Sequence, residues 1–257
     1  MNTRKPQHAE KIIALKSISF SYGKNLILKD ISLDVHAGDY LGIIGSNGAG
    51  KTTLLKVILG LLQPKSGSVE IFGTDLTSFK DWPRIGYLPQ SVARFDQSFP
   101  ATVFEVVMMG RYAKLGVLKK PGAGDREAAK DALQEVGMWE FKDRLIGELS
   151  GGQQQRVFIA RALVSDPEVI FFDEPTVGID QASRVDFYSL LRDLNKHHGI
   201  TLVLISHDLK TVLEEAKHVA YIDHELVFCG PSKEFMQHKN AQNLLDEHLH
   251  LDDSRHQ

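Results

Sequence analysis

Cysteine is almost missing from this chain. Its 257 residues hold one, Cys229, so no disulfide can form within the chain and a disulfide-stapled secreted scaffold is excluded. A reducing compartment is the expectation. Long apolar runs are missing too. Nothing approaches the roughly 18 consecutive apolar residues of a bilayer-spanning helix, and the polar stretch 1–11 lacks the apolar core of a secretory leader. An excess of one charge sign is also lacking: 30 Lys and Arg stand against 33 Asp and Glu, for a formal net charge of −3. That balance offers no basic face, so nucleic acid and anionic lipid are not expected as main partners. Sustained heptads and long internal repeats do not occur. What remains is the composition of an ordinary globular protein, 42% hydrophobic and 25% charged, in a chain long enough to bury a real core. The expected location is cytoplasmic, with any membrane role exercised by docking.

Against this plain background one stretch stands out. Gly45-Ser46-Asn47-Gly48-Ala49-Gly50-Lys51-Thr52 fits G-x-x-x-x-G-K-[ST], the phosphate-binding P-loop. Tyr40-Leu41-Gly42-Ile43-Ile44 before it reads as a buried parallel strand. Thr53 to Leu59 after it reads as a helix, with Leu55, Ile58, Leu59 and Leu62 on one face. Glycines let the backbone curl until several N–H groups point at one spot, and that spot lies at the positive end of a helix dipole. Lys51 can reach the β- and γ-phosphates of a nucleotide, and the Thr52 hydroxyl can ligate Mg²⁺.

In chain order, residues 1–11 form a polar lead-in expected to be disordered. Ile12–Phe20, Ile31–Val35 and Ser68–Gly73 alternate as half-buried antiparallel strands, a small sheet around the P-loop unit. Ile85–Leu88 is a short strand ending at Pro89-Gln90. Strand signals then vanish. Thr102–Tyr112, Asp125–Val136 and Gly152–Val164 read as helices, with a flexible linker Lys119–Gly124 between the first two. Residues 93–154 are expected to form an inserted helical subdomain within a domain spanning 12–235. Val169–Phe172 and Thr201–Ile205 are solid apolar runs, read as central strands, with a helix Asp180–His198 between them. Val219–Asp223 and Leu226–Cys229 read as a final pair. The alternation implies an α/β fold with a mostly parallel sheet covered by helices, and such sheets bind ligands at the carboxyl ends of their strands.

Two further clusters carry chemistry. Asp173-Glu174 ends the apolar run 169–172, a strand exit where a carboxylate suits a Mg²⁺-linked position and a second can orient or deprotonate water. Standing alone, Asp-Glu-Pro would merely begin a turn. Leu149-Ser150-Gly151-Gly152-Gln153 opens a helix with a hydroxyl and two glycines, another anion site. As an isolated feature it would be an ordinary N-cap. A second phosphate site makes sense if it completes the nucleotide site of another molecule, as in a twofold dimer.

The series P-loop, Gln90, Leu-Ser-Gly-Gly-Gln, Asp173-Glu174, His207 resembles the ATP-binding subunit of an ABC transporter over about residues 12–235. The resemblance implies a P-loop NTPase (RecA-like) fold with an antiparallel β subdomain and an inserted helical subdomain. It implies an ATPase with ATP and Mg²⁺ as cofactors. Tyr22 would stack on adenine. Gly45, Ser46, Asn47, Gly48, Ala49, Gly50, Lys51, Thr52 and Thr53 would hold the phosphates, and Thr52, Gln90 and Asp173 would meet Mg²⁺. Glu174, His207 and Gln90 would be catalytic. Ser150, Gly151, Gly152, Gln153 and Asp180 would serve the nucleotide across a homodimer. Val177-Gly178-Ile179-Asp180 departs from the family's commoner Ser-Ala-Leu-Asp form and keeps its aspartate.

Within the family, Ser98-Phe99-Pro100 followed by Ala101–Tyr112, together with Thr176-Val177-Gly178-Ile179-Asp180, resembles the branch importing zinc, manganese and iron(II). Importers of siderophores, haem or cobalamin share part of that pattern and form the alternative. A soluble ABC ATPase of DNA repair or translation is the rival from another class. The resemblance implies a peripheral subunit at the cytoplasmic face of the membrane, separate permease subunits docking near 91–118, and an extracytoplasmic metal-binding protein in the complex. Phe95, Phe99, Phe104, Met108, Met109, Leu115 and Val117 give that segment more apolar surface than one helix can turn inward. The tail 236–257 carries His238, His248, His250 and His256. A solvated polar tail is the plain reading, although imidazoles also suit Zn²⁺.

Overall fold

The structure, a computed structural model, describes residues 10–90, 99–116 and 119–237. These fall into two compact units: residues up to Phe79 together with those from Val203 onward, and Lys80–Leu202.

In the first unit, β1 (Lys11–Tyr22) and β2 (Asn25–His36) form a hairpin, and β4 (Ser66–Ile71) and β5 (Thr74–Asp75) extend it to the antiparallel order β2-β1-β4-β5. β2 alternates as its sequence requires: Ile31, Leu33 and Val35 are buried between exposed Ser32 and Asp34. β1 does not. Ile12, Ile13, Ala14 and Leu15 are all buried, because β1 is an inner strand whose two faces are both covered. A bulge between Leu15 and Ile18 then resets its register, with Ser17 at φ 51° and its N–H donating to Ser32 Oγ at 2.9 Å.

The other strands of this unit run β10-β9-β3-β8, from β3 (Tyr40–Ile44), β8 (Thr201–Ile205), β9 (His218–Asp223) and β10 (Glu225–Pro231). β3 lies parallel to β9 with Leu41 opposite His218. All five residues of β3 are buried. A Cβ at Gly42 would come within 2.1 Å of Val212 Cγ1, on α7 (Leu209–Glu215), so the glycine sets how closely that helix covers the strand. The short helix α7 was not anticipated from the sequence, whereas α8 (Ser232–Phe235) falls where the sequence from about Ser232 reads as partly helical. Asp208 caps α7, accepting the Thr211 N–H at 3.1 Å.

In the second unit, β6 (Ile85–Leu88) and β7 (Val169–Asp173) pair in parallel, Ile85 opposite Val169 and Leu88 opposite Phe172. The helices are α2 (Val103–Met109), α3 (Tyr112–Leu115), α4 (Ala123–Glu135), α5 (Gly151–Leu163) and α6 (Gln181–His197). The single helix expected over 102–112 is thus two. Thr102 starts α2 with a capping box: its hydroxyl accepts the Glu105 N–H and its own N–H donates to Glu105 Oε2. The break falls at Gly110-Arg111. Gly110 presses on α5, where a Cβ would stand 2.1 Å from Arg161 O. Arg111 turns inward to Asp125 Oδ1, at 2.9 Å from Nε and 2.7 Å from Nη2, and to Val164 O at 2.9 Å. Met108 is buried among Val103, Val106 and Val107, so it is not part of an exposed patch. Phe104 is half-buried with its ring edge-on to Trp139. Phe99, Met109 and Tyr112 remain exposed. Phe95 and Val117 lie outside the described residues, as do His238, His248, His250 and His256 of the tail.

Candidate nucleotide site

In the first unit the chain leaves β3 through Gly45 and enters α1 (Lys51–Ile58) through Gly50. Two glycines shape this loop. Gly45 stands at φ 154° with room for no Cβ, which would meet Ile222 O at 2.1 Å. Gly50, the N-cap residue of α1, stands at φ 99°, where a Cβ would lie 2.6 Å from Leu28 Cδ2. The loop is therefore clamped between β9 on one side and β2 on the other. Ala49 is buried, and its carbonyl accepts the His224 N–H at 3.1 Å, tying the loop to the β9–β10 turn. The first turn of α1 carries no acidic side chain, so the positive end of its dipole is left for an anion.

Lys51 is 7% exposed, and its ammonium donates to Gly45 O at 2.7 Å and Ser46 O at 2.9 Å. The side chain thus arches back over the loop it belongs to, the position from which it can meet phosphates cradled there. Thr52 and Thr53 are half-buried beside it, and Asn47 and Gly48 are exposed at the rim. His207 follows β8 and is exposed, with its carbonyl accepting the Leu209 N–H at 3.0 Å. Tyr22 ends β1 at the hairpin, 50% exposed, its ring edge-on to Phe20 at 4.9 Å. An exposed aromatic face of this kind is available for stacking.

The second unit holds the carboxylates and the Ser-Gly-Gly turn. Asp173, the last residue of β7, is 3% exposed. Its charge, after burial, helps push the Tyr87 phenol above its ordinary range. Glu174 is half-buried in the left-handed region at φ 50°. For a residue with a Cβ that backbone is strained, and strain of this kind persists only where neighbours enforce it. Gln90 is exposed just after β6.

Ser150 is the N-cap of α5. Its hydroxyl accepts the Gln153 N–H at 3.3 Å, and Gln153 Oε1 accepts the Ser150 N–H at 3.0 Å. The Ser150 hydroxyl keeps its own O–H to donate. Gly151 has ordinary space, whereas Gly152 is packed against Ser183 of α6. Asp180 caps α6, taking the Ser183 N–H at 2.9 Å and the Ser183 hydroxyl at 2.6 Å, and these two bonds hold its carboxyl below the usual range. Gly152 and Asp180 thus meet through Ser183. Sequence reasoning passed over three members of this arrangement: Gln154, Gln155 and Ser183. The only hint was a run of three glutamines entering a helix whose inner face buries the second and third. Among the described residues no group of three or more His, Cys, Asp or Glu is placed to hold a metal ion, and no helix is long and apolar enough to cross a membrane.

A Lys-bearing P-loop at a strand–helix junction, a strand ending in Asp-Glu and a serine-capped Gly-Gly helix define an ATP-binding cassette of the P-loop α/β class. The sequence matches the ABC transporter family over residues 28–177, more than half of its length, and the chain belongs to that family. It is an ATP-hydrolysing subunit of an ABC transporter. It is 46% identical to the zinc uptake system ATP-binding protein ZurA of Listeria innocua, with 92% of this chain and 91% of that protein aligned. It is 42% identical to the manganese transport system ATP-binding protein MntB of Bacillus subtilis over 90% of each chain. Among solved structures, a metal-chelate type ABC transporter in an inward-facing conformation superposes with a TM-score of 0.81 at 29% identity, covering 92% of this chain and 89% of that one. The cassette MJ0796, solved as a dimer in a post-hydrolysis state with ADP and Pi, superposes with a TM-score of 0.72 at 27% identity, over 86% of this chain and 99% of that one.

Proposed function

We propose that this subunit powers import of a divalent metal ion, zinc or manganese, by binding and hydrolysing ATP as a homodimer at the cytoplasmic face of a membrane. The observation that carries the metal assignment is the likeness, over about nine-tenths of each chain, to zinc and manganese uptake subunits. In each ATP site the Gly45–Thr53 loop and Lys51 hold the phosphates and Tyr22 stacks on the base. The donors available for Mg²⁺, the Thr52 hydroxyl, the Gln90 amide oxygen and the buried Asp173 carboxylate, are the hard oxygen ligands that ion takes. Held by these residues, Mg²⁺ would supply positive charge against the negative charge that develops on the phosphates. Glu174 orients and deprotonates the attacking water, and His207 contacts the γ-phosphate. Ser150, Gly151, Gly152 and Gln153 serve the partner's nucleotide, with Asp180 in the loop that crosses between subunits. Separate permease subunits dock near 91–118, and an extracytoplasmic metal-binding protein delivers the ion.

The test is uptake of labelled zinc and manganese by cells lacking this chain and complemented with wild type or with Glu174→Gln. Uptake should return with wild type alone. A second reading, import of a metal chelate such as a siderophore, haem or cobalamin, is favoured by the likeness to a metal-chelate type transporter. Restored chelate uptake without free-ion uptake would select it.

A further inference from the structure

We infer that Gln155 is the positioning residue that holds Glu174 in its working orientation. The inference rests on the reading of Glu174 as the base above. Glu174 follows β7 with φ at 50°, a backbone that needs enforcement from outside the turn. The next residue, Pro175, is buried and its ring fixes its own φ, so its carbonyl is a point at which the turn can be held from outside, next to the Thr176 hydroxyl, which pairs with the Tyr188 hydroxyl at 3.5 Å. That carbonyl accepts a hydrogen bond from Gln155 Nε2 at 2.6 Å. Gln155 is 4% exposed and lies one turn into α5, so its amide is aimed by a rigid element rather than by a loop.

Its neighbour does the parallel task on the other side. Gln154, 7% exposed, donates from Nε2 to Ile146 O at 3.1 Å and Leu149 O at 3.3 Å, fixing the chain that leads into Ser150. One helix therefore presents Ser150 and, five residues on, grips the turn of Glu174. A buried glutamine amide is costly unless its hydrogen bonds are made. Two in succession, each spent on a backbone carbonyl of a loop that bears a site residue, are placed for positioning and not for filling space.

Gln155→Leu keeps the volume and removes the donor. In the full-length subunit it should lower kcat for ATP about tenfold while Kd for Mg-ATP changes less than about twofold, because Lys51 and its loop are untouched. A double-mutant cycle separates this from a general packing defect. In the Glu174→Gln background, measured in single turnover, Gln155→Leu should cost nothing further, since both changes act through the same carboxylate. An equal tenfold loss in that background would overturn the inference. Near-normal turnover by Glu174→Gln itself would instead overturn the reading of Glu174 as the base, and so is told apart.

Gln155→Glu gives a second readout that folding alone would not produce. A glutamate buried against a carbonyl has a raised pKa, and only its protonated form can donate to Pro175 O. Its kcat relative to wild type should rise as the pH falls from about 8 to about 6. A flat ratio across that range would count against the bond as the means of positioning.

Discussion

Gly152 lies so close to Ser183 that a Cβ at position 152 would stand 2.7 Å from Ser183 Oγ and 2.8 Å from Ser183 Cβ. Both atoms are anchored, since the Ser183 hydroxyl and N–H are bound to Asp180. The second glycine of the Ser-Gly-Gly turn therefore has a packing duty within its own subunit besides any duty toward a ligand. The two can be separated. Gly152→Ala should destabilise the subunit by about 1–3 kcal/mol, the range for forced overpacking. Ser183→Gly in the same chain should restore the melting temperature by clearing the obstacle. ATPase that stays low in the restored double variant would locate the remaining defect at the partner's nucleotide. Full recovery of ATPase would confine Gly152 to packing.

Lys51→Ala removes the ammonium that bridges Gly45 O and Ser46 O and, in the proposed site, meets the phosphates. Hydrogen bonds to charged groups contribute about 1.5–3 kcal/mol each, so ATP affinity should fall by about 10- to 100-fold and turnover with it. Ser150→Ala should leave affinity at the subunit's own P-loop intact and stop turnover in the homodimer. Mixing these two inactive proteins tests the composite site directly. A mixed dimer contains one site with an intact Lys51 facing an intact Ser150, so activity should reappear on mixing and fall again on dilution. Two preparations that stay inactive together at concentrations where the wild type is dimeric would argue against sharing.

The parts of this molecule legible in the sequence are those with a local cause. The five buried residues of β3 and of β8 were readable as unbroken apolar runs, and the loop after β3 by its glycines. The Thr102 and Ser150 caps follow from a hydroxyl with Glu or Gln three residues on. What escaped has a tertiary cause. The periodicity of 102–112 fits one helix, and only the contact of Gly110 with α5 and the inward turn of Arg111 divide it. β1 reads as alternating, yet its first four apolar residues are covered on both faces. Gln155 has no signature of its own, because its partner is a backbone carbonyl 20 residues away.

Asp125 offers a pH-dependent prediction. The Gly122 N–H, 2.8 Å from Oδ2, and then the Arg111 guanidinium hold its carboxyl below the usual range. The unfolded chain titrates this group near about pH 3.9. Above that value both states are ionised and the stabilisation is complete. As the pH falls the unfolded chain takes up its proton first, and the contribution is lost on the way down to the folded pKa. Asp125→Asn should therefore lower the urea midpoint most at neutral pH, with the difference from wild type shrinking below about pH 4. A difference that grows in acid would mean that the carboxylate is not favoured by folding.

Phe99, Met109 and Tyr112 are apolar side chains that the second unit leaves exposed around α2 and α3, as is Leu145, bridged to Thr102, and Trp82 is exposed in the turn packed against α3. Met108, one residue from Met109, points into the core at 8% exposure. This contrast between neighbours makes the docking proposal testable without ambiguity about folding. Met108→Ser should unfold the helical part of the unit and abolish ATPase along with transport, since a buried hydroxyl replaces a packed thioether. Met109→Ser changes an exposed side chain of α2, so its melting temperature and basal ATPase should match wild type within error, and Phe99→Ser is compared with it in the transport assay after its own melting temperature and basal ATPase have been measured. In the assembled transporter the same two changes should reduce metal uptake and weaken co-purification with the permease, because an adaptable apolar patch has lost its grip on the incoming segment. The measurement pairs uptake in cells with ATPase of the purified subunit. Uptake that survives Met109→Ser and Phe99→Ser together would move the permease contact away from this surface.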